Sequence, residues 1–390
     1  MTISAPEETL RRAQIFLQTP LVRNLHAQAH ARAVLRNIAS GSDDWPNFRV
    51  DLDDRLHHAA HSLLWSALQL MEAGQPQADV NPLLLAGSEA LEFLCADPRY
   101  PSPVRLEQAV AATFGYYLSG YYARSYVLLR GAVPDETVLP PALALLVSVL
   151  RKQFDEARRL TITHFSQATL SDVVIAEQLA AGELGEDEAY DRILLASATQ
   201  AVSFFLAYPK NGERQLLDAA IAILDDAILI AKEKRYVDWW WWLFCMRFLF
   251  RELGDASPWT RLRPLRGEDR SVLVDEYIRA GLRSQPPVVE FWPSQVHALP
   301  VVTDPNRRDC CLKMPTSSGK TRIAELAILR FVLDHLTDST TKCIYLAPFR
   351  SLAVEIEQTL RRSLGGLGVM VSQIGSSAEF VGEVPHEQRP

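Results

Sequence analysis

Between Gln14 and Glu252 leucine and alanine recur at spacings of three and four, as in HHAAHSLLWSALQLMEAG, YDRILLASATQAVSFFLAY and RQLLDAAIAILDDAILIAKEKRY. That period gathers the apolar side chains on one face of an α-helix. The runs are interrupted by turn chemistry at Gly74-Gln75-Pro76, Asp97-Pro98, Pro134-Asp135 and Pro209-Lys210-Asn211-Gly212. Few stretches alternate with the period of a strand, so the pattern predicts a large all-helical domain over residues 1–255. From Asp255 the character changes. SPWTRLRPLRGEDR is rich in proline, arginine and turn residues and precedes the helix-like VLVDEYIRAGL, which marks residues 256–285 as a junction. Beyond it short apolar runs alternate with amphipathic ones: CCLKM, TRIAELAILRFVLDHL, CIYLAPF, SLAVEIEQTLRRSL and GVMVSQIG. Strand, helix, strand, helix, strand is the signature of a parallel α/β sheet, so the fold class expected is α followed by α/β, with residues 286–390 the beginning of the second part.

Within the helical region, AATFGYYLSGYYARSYVLL places Ala112, Phe114, Tyr117, Gly120, Tyr122 and Ala123 in an order that resembles one tetratricopeptide-type helical hairpin. No second copy follows at a fixed offset, so a degenerate array and a compact bundle both remain open. The four tryptophans Trp239 to Trp242 point about 100° apart around a helix and suit a buried helix better than a base-stacking platform. His57, His58 and His61 have no carboxylate–cysteine cluster beside them, which argues against a metal site.

The chemistry lies in KMPTSSGKTRIAEL, where Gly319-Lys320-Thr321 sits between an expected strand and an expected helix. There, loop amides and a helix N-terminus converge on anionic phosphates. Pro315, Thr316, Ser317, Ser318 and Gly319 form the loop, Lys320 brings a point charge to the β/γ oxygens, and Thr321 offers a hydroxyl to Mg²⁺, with Arg322 next on the helix. Met314 stands where the general phosphate-loop pattern has its first glycine.

PTSSGKT resembles motif I of superfamily 2 helicases, in particular the superkiller-like DExH branch. FWPSQVHAL resembles the Q motif of that superfamily, with Gln295, 25 residues before Lys320, in the place of the adenine-reading glutamine and Phe291 or Trp292 beside it. LAPFRSLAVEI resembles motif Ia, which would put Pro348, Arg350 and Ser351 on a nucleic-acid backbone. The resemblance covers about the last hundred residues. It implies ATP and Mg²⁺ as cofactors, a RecA-like domain 1, Lys320 and Thr321 as the catalytic pair, and DNA or RNA as a partner of the full-length parent. No acidic D-E-x-H/D box follows Ser376; the acidic pairs Asp53-Asp54 and Asp225-Asp226 fall in the helical region. The expectation is therefore the front end of a longer ATP-dependent helicase or translocase, inactive by itself. Its helical region would dock a protein partner or regulate the motor. A large helical region ahead of such a motor is similar to helicases of bacterial antiviral defence. The alternative is a helical scaffold with a nucleotide-switched domain; a metabolic kinase is disfavoured by the Q-like and P-x-R-x-L-A segments.

Composition narrows the picture little. The chain has 390 residues, 48% hydrophobic and 22% charged, with a formal charge of −7. From residue 286 onward Lys+Arg and Asp+Glu both number 11, so the acidic excess, 29 basic (40 − 11) against 36 acidic (47 − 11), lies in the first 285 residues. That part lacks a general attraction for nucleic acid. Cysteines at 95, 245, 310, 311 and 343 have neither metal-ligand spacing nor an even number, which favours a reducing, cytoplasmic setting. No apolar run is long enough for a membrane span.

Overall fold

The computed structural model describes residues 5–38, 46–97, 102–132, 139–267, 269–285, 287–307, 309–314, 318–336, 338 and 340–373. Among them are 17 α-helices. In chain order these are α1 (Ala5–Gln18), α2 (Pro20–Ile38), α3 (Leu52–Glu72), α4 (Gln77–Cys95), α5 (Ser102–Leu118), α6 (Tyr122–Ala132), α7 (Pro141–Leu150), α8 (Phe154–Phe165), α9 (Asp172–Ala180), α10 (Glu186–Asn211), α11 (Arg214–Glu233), α12 (Val237–Ala256), α13 (Pro258–Arg261), α14 (Ser271–Leu282), α15 (Pro293–Val302), α16 (Lys320–Asp334) and α17 (Arg350–Leu364). The chain divides into two compact units. One comprises residues 1–203 and 219–249, the other residues 204–218 and 250–390.

In the first unit the apolar stripes of α3, α4 and α5 bury Leu56, Leu63, Leu64, Leu83, Leu84, Leu91 and Phe114. The helices meet closely because small residues line the contact. A Cβ added at Gly115 would lie 2.1 Å from Ser88 Oγ and 2.9 Å from Leu64 Cδ2. Charges inside this unit are paired, as burial demands. Arg32 and Arg36 of α2 both reach the fully buried carboxylate of Asp97, and Arg32 also pairs with Asp53. Arg247, with only 8% of its side chain exposed, joins Glu72 at 2.5 Å and Asp225 at 2.7 Å. Asp53 and Asp225, set aside as candidates for a metal-holding acidic box because they lie in the helical region, thus serve helix packing.

The AATFGYYLSGYYARSYVLL stretch forms α5, a turn with φ +82° at Gly120, and α6, with the Tyr117 and Tyr122 rings stacked 4.7 Å apart. The four tryptophans are half-buried rather than core; the continuously buried run is Leu243–Phe250. Their indoles explain the difference, since each has an apolar body and a polar edge. Trp239 Nε1 donates to Asp191 at 2.7 Å, Trp240 packs edge-on against Trp65, and Trp241 meets His61. Trp240 and Trp241 are tilted 45° to one another, so they make no flat platform. The His57 and His61 rings lie 4.4 Å apart, and among the described residues no group of three His, Cys, Asp or Glu side chains is placed to hold a metal.

The second unit has one core. Trp259, Leu262 and Leu265, then Val274, Tyr277 and Ile278 of α14, Phe291, Ala298 and Leu299 of α15, Ile323, Leu326 and Leu329 of α16, and Ile356, Leu360 and Leu364 of α17 all pack into it. The residue 204–218 segment joins through Trp259, whose Nε1 donates to Pro209 O at 2.8 Å, and through the Phe205 and Phe250 rings, stacked 4.2 Å apart. No strand is found among the described residues. The segments CCLKM and CIYLAPF, expected as strands, run without assigned structure, and Ile344 and Leu346 are 74% and 88% exposed. A strand exists by virtue of a neighbour that takes its backbone bonds, and none is paired with these segments here. The helices of the predicted alternation are present, as α16 and α17; its sheet is not seen among the described residues. No helix is long and apolar enough among the described residues to cross a membrane.

Glu252, near the C-terminus of α12, gives this unit a pH dependence. Burial, reinforced by the neighbouring Asp255 and Glu290 and opposed by Arg261, pushes its carboxyl up to about 7 from an ordinary 4.5. The folded state thus holds this proton more tightly than the unfolded chain. The associated stability is full below about pH 4.5 and is lost as pH rises toward 7, amounting to about 3 kcal/mol. Glu252→Gln should remove that slope and raise the unfolding free energy at pH 8, as measured by urea titration at several pH values; an unchanged slope would place the proton elsewhere.

Candidate nucleotide site

Helix α16 begins at Lys320, and its N-cap is Gly319, held at φ +81° and ψ +33°. Few side chains tolerate that left-handed backbone, and glycine does so at no steric cost. A second reason for glycine is space. A Cβ there would lie 2.0 Å from Gln295 Nε2. Gln295, 6% exposed, stands at the start of α15 with its amide held at both ends. Its Oε1 accepts from Trp292 N–H at 2.9 Å, and its Nε2 donates to Gly319 O at 3.4 Å. Ser294 Oγ donates to Ser318 O at 3.0 Å. Two consecutive side chains of α15 therefore hold two consecutive carbonyls of the phosphate-loop candidate, which places the Q-like segment and the Gly-Lys-Thr tripeptide in direct contact.

Lys320 and Thr321 are exposed on the first turn of α16. Lys320 Nζ donates to Met314 O at 3.1 Å, and among the described residues it makes no ion pair, so its charge remains available to an anion. The cation, the hydroxyl of Thr321 and the helix N-terminus share one turn, the donor set that a Mg²⁺-bound polyphosphate requires. These residues fit the implied cofactors. Pro315, Thr316 and Ser317 lie outside the described residues.

Arg322 faces inward instead. Its Nη1 donates to both oxygens of Glu325, at 2.7 and 2.8 Å, and Glu325 is buried to 1%. Tyr277, itself 4% exposed, lines the same small cleft as Arg322, and its buried hydroxyl has no hydrogen-bond partner among the described residues. Burial, then the Glu325 carboxylate, drives the Tyr277 pKa far above its ordinary value. Of the two aromatics flanking the Q-like segment, Phe291 is core at 1% exposure, whereas Trp292 is 43% exposed and is the one open to a ligand. Pro348 is exposed just before α17, and Arg350 and Ser351 are exposed on its first turn; no described contact joins them to Gly319 or Lys320. Tyr277 and Glu325 are absent from the sequence-level site. Glu325, three positions after Arg322, carried a faint signal, because an acid on an otherwise apolar helix face needs a partner.

Residues 292–386 match the DEAD/DEAH box helicase family. The chain is 26% identical over 354 residues, 90% of its length, to the Hachiman protein HamB of Bacillus cereus, of which it covers 30%. It is 40% identical over 81 residues to the ATP-dependent DNA helicase MER3 of Saccharomyces cerevisiae, covering 20% of this chain and 7% of that one. The chain thus spans less than a third of the length of either relative. The family-matched range contains Gln295 and the Gly319-Lys320-Thr321 tripeptide.

Gly319→Ala should destabilise the chain by about 1–3 kcal/mol, through the left-handed backbone and the clash with Gln295. Adding Gln295→Ala should restore part of that loss by relieving the clash alone; chemical denaturation of the single and double variants checks both.

Proposed function

We propose that the chain supplies the helical region and the first part of the RecA-like domain of an ATP-dependent nucleic-acid helicase or translocase. The observation that carries this reading is the meeting of Gln295, Gly319 and the exposed Lys320 and Thr321 at one helix N-terminus, inside the segment that matches the DEAD/DEAH box family. The segments at 310–314, 343–349 and 369–373 would be the strands of that domain once a neighbouring strand takes up their backbone groups. Their exposed Ile344, Leu346 and Met370 support this.

In this reading Lys320 and the amides of the first turn of α16 bind the β- and γ-phosphates, and the Thr321 hydroxyl orients the magnesium ion, which neutralises the charge that develops on the transferred phosphoryl group. Gln295 selects adenine. Its amide donates and accepts, so it complements the adenine edge and leaves guanine mismatched. Because that amide already bonds Trp292 N–H and Gly319 O, nucleotide arrival would exchange a contact at the loop for one at the base. Adenine occupancy and loop position are thereby coupled. Pro348, Arg350 and Ser351 at the head of α17 contact the sugar–phosphate backbone of DNA or RNA, an interaction that positions a strand without reading its sequence.

The helical region is proposed as the docking or regulatory module for a protein partner. Its likeness to HamB extends across 90% of the chain, so the helices are shared along with the motor segment. That breadth supports a role in a bacterial antiviral defence assembly, in the cytoplasm.

In the full-length parent, Lys320→Ala should lower nucleic-acid-stimulated ATP hydrolysis by at least about a hundredfold, as expected when a charged transition-state donor is removed. Retained hydrolysis, with loss of partner binding only when the helical region is deleted, would favour a scaffold in which the nucleotide site is incidental.

A further inference from the structure

The peptide between Ser318 and Gly319 lies just outside α16, and its orientation is set from α15. Within the helix the backbone fixes itself. Gly319 O accepts from the Arg322 and Ile323 N–H groups, at 3.0 and 3.3 Å, so the peptide that joins Gly319 to Lys320 is held by the first turn. The preceding peptide lies beyond the reach of that ladder, because helical bonding starts with the N-cap carbonyl. Its own carbonyl, that of Ser318, accepts from Ser294 Oγ at 3.0 Å. Ser294 is half-buried and is the second residue of α15, so the donor stands on a helix rather than on a loop.

Two properties of this peptide give the serine its leverage. In a trans peptide the C=O and N–H bonds point in opposite directions. A Ser318 carbonyl turned toward α15 therefore sends the Gly319 N–H away from it, and that N–H has no acceptor among the described residues. The second property is the glycine. Gly319 sits at φ +81°, and turning the Ser318–Gly319 peptide over by about half a turn would carry φ to the negative side, the flip that separates a type II turn from a type I turn. Glycine occupies both regions about equally readily, so the backbone alone does not choose between them. In the flipped state the Ser318 oxygen would stand where the Gly319 N–H now points, and an anion there would meet an acceptor instead of a donor.

We infer that Ser294 is a positioning residue for the nucleotide site: of the two backbone states that Gly319 permits, its hydroxyl selects the one that aims the Gly319 N–H at a bound phosphate. The aim at phosphate rests on the function proposed above; the hold on the peptide does not. Ser294 touches no reacting atom, and its influence passes through the Ser318 carbonyl. Its task differs from that of Gln295, whose amide bonds a carbonyl that the first turn of α16 already holds.

The 390-residue chain carrying Ser294→Ala or Ser294→Thr tests this, since alanine removes the hydroxyl and threonine keeps it. With serine labelled by ¹³C at its carbonyl and glycine by ¹⁵N, only the steps Ser40-Gly41, Ser119-Gly120 and Ser318-Gly319 give correlated magnetic-resonance signals, and the last is identified by its loss in Ser318→Ala. Without nucleotide, the Ser318-Gly319 signal should leave its wild-type position in Ser294→Ala and return to it in Ser294→Thr, while the thermal midpoints of both variants stay near that of the wild type. Mg²⁺-ATP affinity should fall about tenfold in Ser294→Ala, the loss of one hydrogen bond to a charged oxygen, and recover in Ser294→Thr. AMP has no β-phosphate for that N–H to meet and should bind all three chains alike. An unmoved signal in Ser294→Ala would overturn the inference, as would an equal loss of ATP and AMP affinity or a threonine variant that restores neither readout. A signal that moves as expected in a chain whose wild type binds no Mg²⁺-ATP would uphold the hold on the peptide and remove the nucleotide reading instead.

Discussion

The carbonyl of Gly319 is the point on which the second unit's candidate site depends. It accepts from the Arg322 and Ile323 amides of α16 and from the side-chain amide of Gln295, and it can do so because the residue carrying it adopts a left-handed backbone with no Cβ in the way. A helix N-terminus is useful to an anion only if its free N–H groups face outward and the turn is fixed. Fixing it from the side with α15, while Arg322 turns inward to Glu325, leaves the outer face to Lys320 and Thr321. The division of labour along four consecutive residues is sharp: Gly319 bends, Lys320 and Thr321 face solvent, Arg322 anchors.

Two charge economies operate in the chain. In the first unit, buried Asp97 and Arg247 are neutralised by partners on neighbouring helices. Removing one partner there would strand a charge in the core, which is costlier than the pair is valuable. In the second unit, among the described residues, Lys320 has only a backbone carbonyl as a hydrogen-bond partner for its amine.

The helices were legible in the sequence because their signal is periodic and local: the stripes of α3, α11 and α16 can be read within twenty residues of text. The phosphate-loop candidate stood out for a different reason, since glycine, lysine and threonine in that order just ahead of a helix meet one chemical need. What could not be read was long-range. Tyr277 belongs to the apolar stripe of VLVDEYIRAGL, and periodicity says that it is buried; it does not say that it lines the same small cleft as Arg322, 45 positions later. Phe204–Asp218 belongs to the same compact unit as residues 250–390, yet its local pattern is the same as that of its helical neighbours. The strands failed for the complementary reason. The apolar run CIYLAPF predicts a buried strand by composition, but a ladder is a property of two segments, and its partner is not among the described residues.

The most direct test of the account is chemical labelling of Lys320. An amine-acylating reagent applied to the chain with and without Mg²⁺-ATP, followed by mass spectrometry, reports whether the nucleotide covers that side chain, and the exposed Lys313 and Lys342 serve as internal references. The account predicts that Mg²⁺-ATP shields Lys320 selectively and that Mg²⁺-GTP does so much less. Equal labelling of Lys320 in the presence and absence of saturating ATP, with the references unchanged, would contradict it.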